Sequence, residues 1–495
     1  MPVRHLIPTD SNRMAELLFL NSKPQQAAHS DGAPCVAFVT LGCKVNQSDT
    51  QKAIADFRAA GFRIVPPAAH ADVYVVNTCS VTHVADRKSR QWLRRGARAN
   101  PNALVVATGC YAESGKDALE EMGEVGLIIG YKDKDNLLSL VLERMRNAEC
   151  GMRTPNSSQD SALRTPHSAF GTPAWAGGDE GDTDLDFKSR TRAMVKIEDG
   201  CNDFCTFCII PFTRGMPRST PTNKVVEMVN QRLAEGYKEI VLTGVHMGKY
   251  GQDHAQRKRA RLDPTEAADL PGAVRAILER TGVPRLRITS VEPTDAIMML
   301  PLLSDPAYMG RLAPHLHLPL QSGCDATLQR MKRDYNTAQY AEVVRRCRET
   351  VPGISITTDL IVGFPGETED EWEQTRSFVE HMEFAKVHVF PFSRRPGTPA
   401  YSMEGQVHPD VRHARTLEMI ELSSRSEGAY ACAHLGRTLP VLWEHESGGV
   451  WSGLTGNYLR VHARTSRDLL NSMTPATLVA YDARGLWAEP VVPGA

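Results

Sequence analysis

From residue 35 onward, short apolar runs alternate with amphipathic stretches. Val36–Leu41, Asp72–Thr78, Ala103–Thr108 and Val125–Ile129 are β-rich runs bounded by polar or small residues. Between them, Gln47–Ala60, closed by Gly61, and the basic stretch His83–Ala99 carry helical spacing, and a further helix runs to about Asn147. This βαβα order predicts an open, mostly parallel α/β sheet over residues 35–149. Residues 1–34 show no such pattern and read as a loose extension, and the Ser-, Pro-, Gly- and Asp-rich residues 150–187 read as a flexible linker. Strand signals return at Met194–Ile197, Glu239–Thr243, Arg285–Ser290, His315–Leu320, Ile354–Val362 and Val387–Phe392, with helical stretches such as Thr222–Glu235, Ala338–Val351 and Glu369–Met382 between them. Six such units predict a partial (β/α)6 barrel over residues 188–430. Gly251–Pro264, with the run Arg257-Lys-Arg-Ala-Arg261, reads as a charged surface insertion. After a helix near Asp410–Leu435, five short β-like runs predict a small antiparallel β-barrel of OB kind in residues 431–495.

Length, charge and hydropathy narrow the function classes. A chain of 495 residues with formal net charge -1 holds several domains, and any nucleic-acid surface on it must be local. No run of about twenty apolar residues predicts a membrane span, and no signal-peptide pattern is present, so a cytoplasmic location is expected. There the eleven cysteines read as metal ligands or catalysts before disulfides.

Cys201, Cys205 and Cys208 have C-x3-C-x2-C spacing, which supplies three thiolates where a structural zinc site takes four ligands. A [4Fe–4S] cluster on three cysteines keeps one iron open to a substrate. Phe204 and Phe207, between them, would shield it from water. The alternative is a zinc knuckle, for which His246 is the nearest further ligand, or three unrelated thiols. Cys43, Cys79 and Cys110 each follow a predicted parallel strand, and the C-terminal ends of such strands share the ligand-binding edge of an open sheet. Gly42 and Gly109 would let the backbone approach a bulky group there. The competing reading is three buried apolar side chains. Cys35, Cys150, Cys324, Cys347 and Cys432 show no grouping and read as structural.

Glu198-Asp-Gly-Cys-Asn-Asp-Phe-Cys-Thr-Phe-Cys-Ile-Ile-Pro211 resembles the radical S-adenosylmethionine (SAM) methylthiotransferases. Leu41-Gly-Cys-Lys-Val-Asn-Gln47 and Asn77-Thr-Cys-Ser-Val-Thr82 resemble the N-terminal domain of that family. His317-Leu-Pro-Leu-Gln-Ser-Gly323 and Thr358-Asp-Leu-Ile-Val-Gly-Phe-Pro-Gly-Glu-Thr368 resemble its barrel motifs, and Trp451-Ser-Gly-Leu-Thr-Gly-Asn-Tyr458 its TRAM domain. Gly-Cys-Lys-Val-Asn-Gln is most like the MtaB branch, which acts on N6-threonylcarbamoyladenosine beside the tRNA anticodon. The resemblance implies two [4Fe–4S] clusters, one on Cys201, Cys205 and Cys208 and an auxiliary one on Cys43, Cys79 and Cys110, with SAM as both methyl donor and radical source. It implies the tRNA anticodon stem-loop and an electron donor such as flavodoxin or ferredoxin as partners. Glu292, Gln321, Ser322 and Asp359, at or near the C-terminal ends of barrel strands, are the candidate SAM contacts. Arg87, Lys88, Arg90, Arg94, Arg95 and Arg98 crowd one helix and could neutralise phosphates, with Trp92 stacking among them. Trp451, Tyr458, Arg460 and Arg464 in the tail suit an RNA surface. Three other readings stand beside this one: the isopentenyladenosine branch, the branch acting on an aspartate of a ribosomal protein, and a zinc-stabilised RNA-binding module without catalysis.

Overall fold

The computed structural model describes residues 33–149 and 191–491. The expected linker and nearly all of the N-terminal extension lie outside them. The N-terminal sheet has five parallel strands, in the order Arg63–Val65, Cys35–Thr40, Val73–Thr78, Leu104–Gly109, Leu127–Ile129. Cys35–Thr40 and Val73–Thr78 are buried along their whole length, as continuous apolar strands covered by helices on both faces must be. The short strand Arg63–Val65, absent from the sequence reading, lies outside Cys35–Thr40 and makes the chain reverse between its first and third strands. At such a reversal a crevice opens beyond the C-terminal strand ends.

The central unit has six parallel strands in chain order. Arg192–Lys196, Glu239–Thr243 and Arg285–Ile288 form one ladder, and His315–His317, Ser355–Val362 and Lys386–Pro391 the other. Single bridges, Leu286 to Leu312 and Ser290 to His317, join the two into a partial barrel. Alternation sorts the side chains: Leu286, Ile288, Leu316, Ile356 and Leu360 enter the core beneath the helices, while Arg285, Arg287, His315, His317, Thr357 and Asp359 form polar contacts on the inner face. The free edge at Arg192–Lys196 is covered by the helix Lys44–Ala59, where Met194 N donates to Gln51 Oε1 at 3.3 Å and Lys196 pairs with Asp49.

The tail is a closed five-stranded barrel. One of its pairings, Arg460–Arg464 with Gly485–Pro490, is parallel rather than antiparallel as expected, because barrel closure sets the third and fifth strands side by side. The barrel seats on the central sheet through buried arginines. Arg285 donates to Leu454 O at 2.9 Å, and Arg287 donates to Thr455 O at 3.0 Å and Gly456 O at 2.9 Å. The expected charged insertion is a helix, His254–Leu262: Asp253 caps it by accepting from Gln256 N at 2.9 Å, and the buried Gln256 donates to Glu266 at 3.0 Å. Among the described residues no helix is long and apolar enough to cross a membrane.

Candidate cluster and cofactor site

The loop carrying Cys201, Cys205 and Cys208 leaves the first barrel strand and is clamped at three points. Cys201 N donates to Gly215 O at 3.0 Å, Thr206 N to Met331 O at 3.1 Å and Cys208 N to Cys205 O at 3.0 Å. Phe204 adopts a positive φ of 50° and its ring is exposed, edge-on to exposed Phe212 at 6.1 Å, so it does not provide the shielding expected of it; Phe207 instead packs toward Phe364. The three thiols lie close enough that Cys201 and Cys205 act on the charge of Cys208, whose thiol is pushed up to about 12, mainly by burial. Arg333 Nη1 donates to Cys205 Sγ at 3.1 Å while Nη2 pairs with Glu292.

The fold carries His246 to this loop from far along the chain. Its Nδ1 meets Asp203 Oδ2 at 2.7 Å and its Nε2 meets Asp295 Oδ2 at 2.9 Å, while Asp203 Oδ2 lies 3.4 Å from Cys201 Sγ. Burial alone would lower this imidazole, but the two carboxylates hold it up at about 12. The Cys201 thiol, an Asp203 carboxylate oxygen and a His246 ring nitrogen all lie within 4.8 Å of one another, so this grouping could hold a metal ion. Glu198 is fully buried: its Oε2 accepts from His246 N at 2.8 Å, its Oε1 has no partner, and burial pushes its carboxyl up to about 8. The sequence reading assigns no role to Glu198 and names His246 only as the nearest further ligand of a zinc knuckle.

The second triplet converges at the switch point of the N-terminal sheet. Cys43, Cys79 and Cys110 follow the first, third and fourth strands of the chain, and the charges of Cys110 and Cys43 both act on Cys79, which burial pushes up to about 12. Asn46 ties the strand ends together, donating to Leu41 O at 2.7 Å and Thr78 O at 3.0 Å. Gly42, at φ +89°, leaves no room for a side chain, because a Cβ there would stand 2.6 Å from Cys79 Sγ. Gly42→Ala is therefore expected to lower the iron bound per chain after anaerobic reconstitution; iron content equal to wild type would show that this loop tolerates the displacement.

Two buried arginines of the central unit hold the strand-end loops. Arg214, six residues past Cys208, donates to Cys110 Sγ at 3.3 Å, Asp199 Oδ1 at 2.8 Å and Asn46 Oδ1 at 2.5 Å. Arg395 pairs with Asp86 at 2.5 Å and donates to Ser80 O, beside Cys79, at 3.3 Å. Arg214 thus bridges Cys110 of the second triplet and the helix that follows Cys208.

The candidate SAM residues separate. Glu292 lies buried on Arg333, and Asp359 accepts from His317 Nε2 at 3.2 Å. Gln321, at φ +65°, bridges to Leu360 through its backbone. Ser322 is fully buried, facing Thr375 at 3.2 Å in the packing between strand and helix, away from the inner face. Of the expected RNA residues, Arg87, Arg94, Arg95 and Arg98 are exposed on one helix, Arg95 lies 4.8 Å over Trp92, and Arg90 binds the hydroxyl of Tyr111, the neighbour of Cys110. Lys88 is partly buried on the same helix. In the tail, Arg460 pairs with Glu444 and Trp451 is buried in the barrel core. Tyr458 is turned inward, stacked on His315 at 4.4 Å with Arg287 4.9 Å over its ring.

The donor sets fit iron–sulfur clusters. Each is three unbridged thiols gathered at one loop cluster, and burial would keep Cys79 and Cys208 protonated unless a bound cation held them as thiolates. Residues 35–130 match the description "Uncharacterized protein family UPF0004" and residues 195–379 the "Radical SAM superfamily". The threonylcarbamoyladenosine tRNA methylthiotransferase MtaB of Bacillus subtilis is 36% identical over 90% of this chain and 93% of its own. That of Aquifex aeolicus is 34% identical over 86% and 96%. A tRNA-2-methylthio-N(6)-dimethylallyladenosine synthase of Clostridium tetani is 30% identical over 84% and 87%. The chain belongs to the radical SAM methylthiotransferase family, transferases whose cofactors are [4Fe–4S] clusters and SAM.

Proposed function

We propose that this chain converts N6-threonylcarbamoyladenosine at position 37 of tRNA to its 2-methylthio derivative. The observation that carries the reading is the gathering of two separate thiol triplets, Cys43, Cys79 and Cys110 and Cys201, Cys205 and Cys208, in a chain whose similarity to the MtaB proteins spans nearly its whole length. Residues 35–149 would hold an auxiliary cluster on Cys43, Cys79 and Cys110, residues 188–430 a second on Cys201, Cys205 and Cys208, and residues 431–495 form the TRAM-like tail. When bound, the clusters and SAM supply one-electron cleavage of SAM, the methyl group and the sulfur. The chain's own part is placement. Glu198, three residues before Cys201, keeps one buried carboxyl oxygen without a partner. Arg333 and Arg214 each donate to one thiol of a triplet, contacts that orient ligands and shift a cluster's potential. Glu292 and Asp359 line the approach to SAM. Arg87, Arg94 and Arg95 offer phosphates of the anticodon stem-loop a basic face that Arg90 ties to Tyr111, beside Cys110. An electron donor of the flavodoxin or ferredoxin class completes the reaction, in the cytoplasm.

Anaerobically purified protein is expected to hold about eight irons in two four-iron clusters. With SAM and a reductant it should add a methylthio group to RNA carrying threonylcarbamoyladenosine, read by mass spectrometry of the nucleosides. Zinc without iron, or product only on isopentenyladenosine RNA, would overturn the reading.

A further inference from the structure

Below the cofactor residues, the inner face of the barrel holds a polar group that the proposed chemistry leaves unused. Lys44 follows Cys43 directly, yet its side chain runs toward the tail barrel and places Nζ 5.8 Å from the centroid of the Tyr458 ring. Among the described residues its ammonium has no carboxylate at ion-pair distance, and neither the Tyr458 hydroxyl nor the His388 ring has a hydrogen-bond partner. The neighbouring polar groups are occupied. His317 spends Nδ1 on Thr357 Oγ1 at 3.0 Å and Nε2 on Asp359 at 3.2 Å, and Arg287 is held by Glu239 at 2.7 Å. The His388 ring lies 5.7 Å from that of His317, is held below its ordinary value mainly by burial, and feels Asp359 ahead of Lys44. Lys44 is also the foremost influence drawing the Tyr458 phenol below its ordinary value. One cation without a contact ion pair, one free hydroxyl and one free imidazole therefore lie together where the three folded units meet, with Asp359, paired to His317, also within the field of Lys44. A partly buried ammonium with no contact anion favours an anionic group brought to it.

The reading above supplies an anion of suitable reach. On adenine, C2 and N6 lie on the same edge with N1 between them. A base whose C2 stands at the Cys43 triplet sends its N6 substituent away from that triplet, and Lys44 is the residue next to Cys43. We propose that Lys44, with the Tyr458 hydroxyl and the His388 ring, binds the carboxylate of an acidic N6 substituent on the target adenine and selects it over bases with an apolar one. This rests on the proposed RNA substrate and adds how the substituent is read.

The test compares wild type, Lys44→Gln, Lys44→Arg and Tyr458→Phe as reconstituted holoenzymes of matched iron content. Each is titrated by fluorescence anisotropy with anticodon stem-loops carrying threonylcarbamoyladenosine, isopentenyladenosine or plain adenosine. Wild type should bind the first most tightly. Lys44→Gln should lose about ten- to hundredfold on that RNA alone, the scale of one charge-assisted hydrogen bond, with the loss in KM rather than kcat. Lys44→Arg should keep the preference. Tyr458→Phe, which retains the stacked ring and lies outside the cysteine loops, should lose part of it. Equal weakening on all three RNAs would assign Lys44 to a backbone phosphate. Weakened SAM binding with the RNA preference intact would assign it to the SAM carboxylate. Either result overturns the inference while leaving the proposed reaction standing. A wild-type preference for isopentenyladenosine RNA overturns both.

Discussion

Replacing Glu239 with alanine is expected to cost the fold about 3–5 kcal/mol, the scale of breaking a buried ion pair from one side. Glu239 is fully buried and receives Arg285 at 2.5 Å and Arg287 at 2.7 Å, and the same two arginines reach the backbone carbonyls of the tail barrel. Removing the carboxylate leaves two guanidiniums buried against carbonyls alone, at the joint between central sheet and tail. Urea unfolding should show the loss, and limited proteolysis should release the tail at lower protease concentration than in wild type. A midpoint unchanged from wild type would mean that water or a rearranged arginine satisfies the site. The acid response has a definite sign. Burial alone would raise this carboxyl, but Arg287, Arg285 and Arg192 outweigh it and hold it at about 2, below its ordinary 4.5. Its contribution is therefore complete above about pH 4.5 and is lost as pH falls toward 2, so Glu239→Gln should flatten that part of the stability profile.

The elements were legible wherever local rules agreed. His83–Ala99 and Glu369–Met382 begin and end where the sequence places them, because Thr82 caps the first and Thr368 with Glu371 forms a capping box on the second. Arg63–Val65 was not legible: it is three residues long, has no buried residue, and is a strand only through its pairing with Cys35–Ala37. Yet that strand creates the switch point on which the second triplet sits. The helix at His254–Leu262 was missed because its charge run masks a cap at Asp253 and a buried glutamine.

The site divides in the same way. The cysteines were legible from spacing and from their place after strands, properties of sequence alone. Glu198, His246, Asn46, Arg214 and Arg395 were not, because each acts on a residue that only packing brings near; Arg214 and Cys110 are separated by 104 positions. Glu198 and Asn46 do lie inside the quoted cysteine motifs, which was the available signal. Ser322 drew attention as a polar group at a strand end and is instead turned into packing against Thr375, a choice that side-chain type does not encode.

Exchanging Cys43, Cys79 and Cys110 for alanine is expected to abolish methylthiolation while release of 5′-deoxyadenosine from SAM continues, with about four of eight irons lost. The same exchange at Cys201, Cys205 and Cys208 should abolish both. The separation follows from how the loops are held. The Cys201–Cys208 loop is fixed by Gly215 O, Met331 O and the bond from Thr206 Oγ1 to Arg330 O at 2.8 Å, all within the central unit. Removing the Cys110 thiol takes one partner from Arg214 but leaves Asp199 at 2.8 Å and Asn46 at 2.5 Å, so the helix behind Cys208 keeps its anchors. The reverse exchange leaves the switch-point crevice intact, since Asn46 holds Leu41 O and Thr78 O without help from the central loop. A first-set variant that still forms the methylthio product would remove the auxiliary role from those three thiols. One that also stops cleaving SAM would mean that the Arg214 bridge couples the two sites more tightly than its remaining contacts indicate, and Asp199→Asn, which weakens the bridge while keeping all six thiols, should then reproduce the loss.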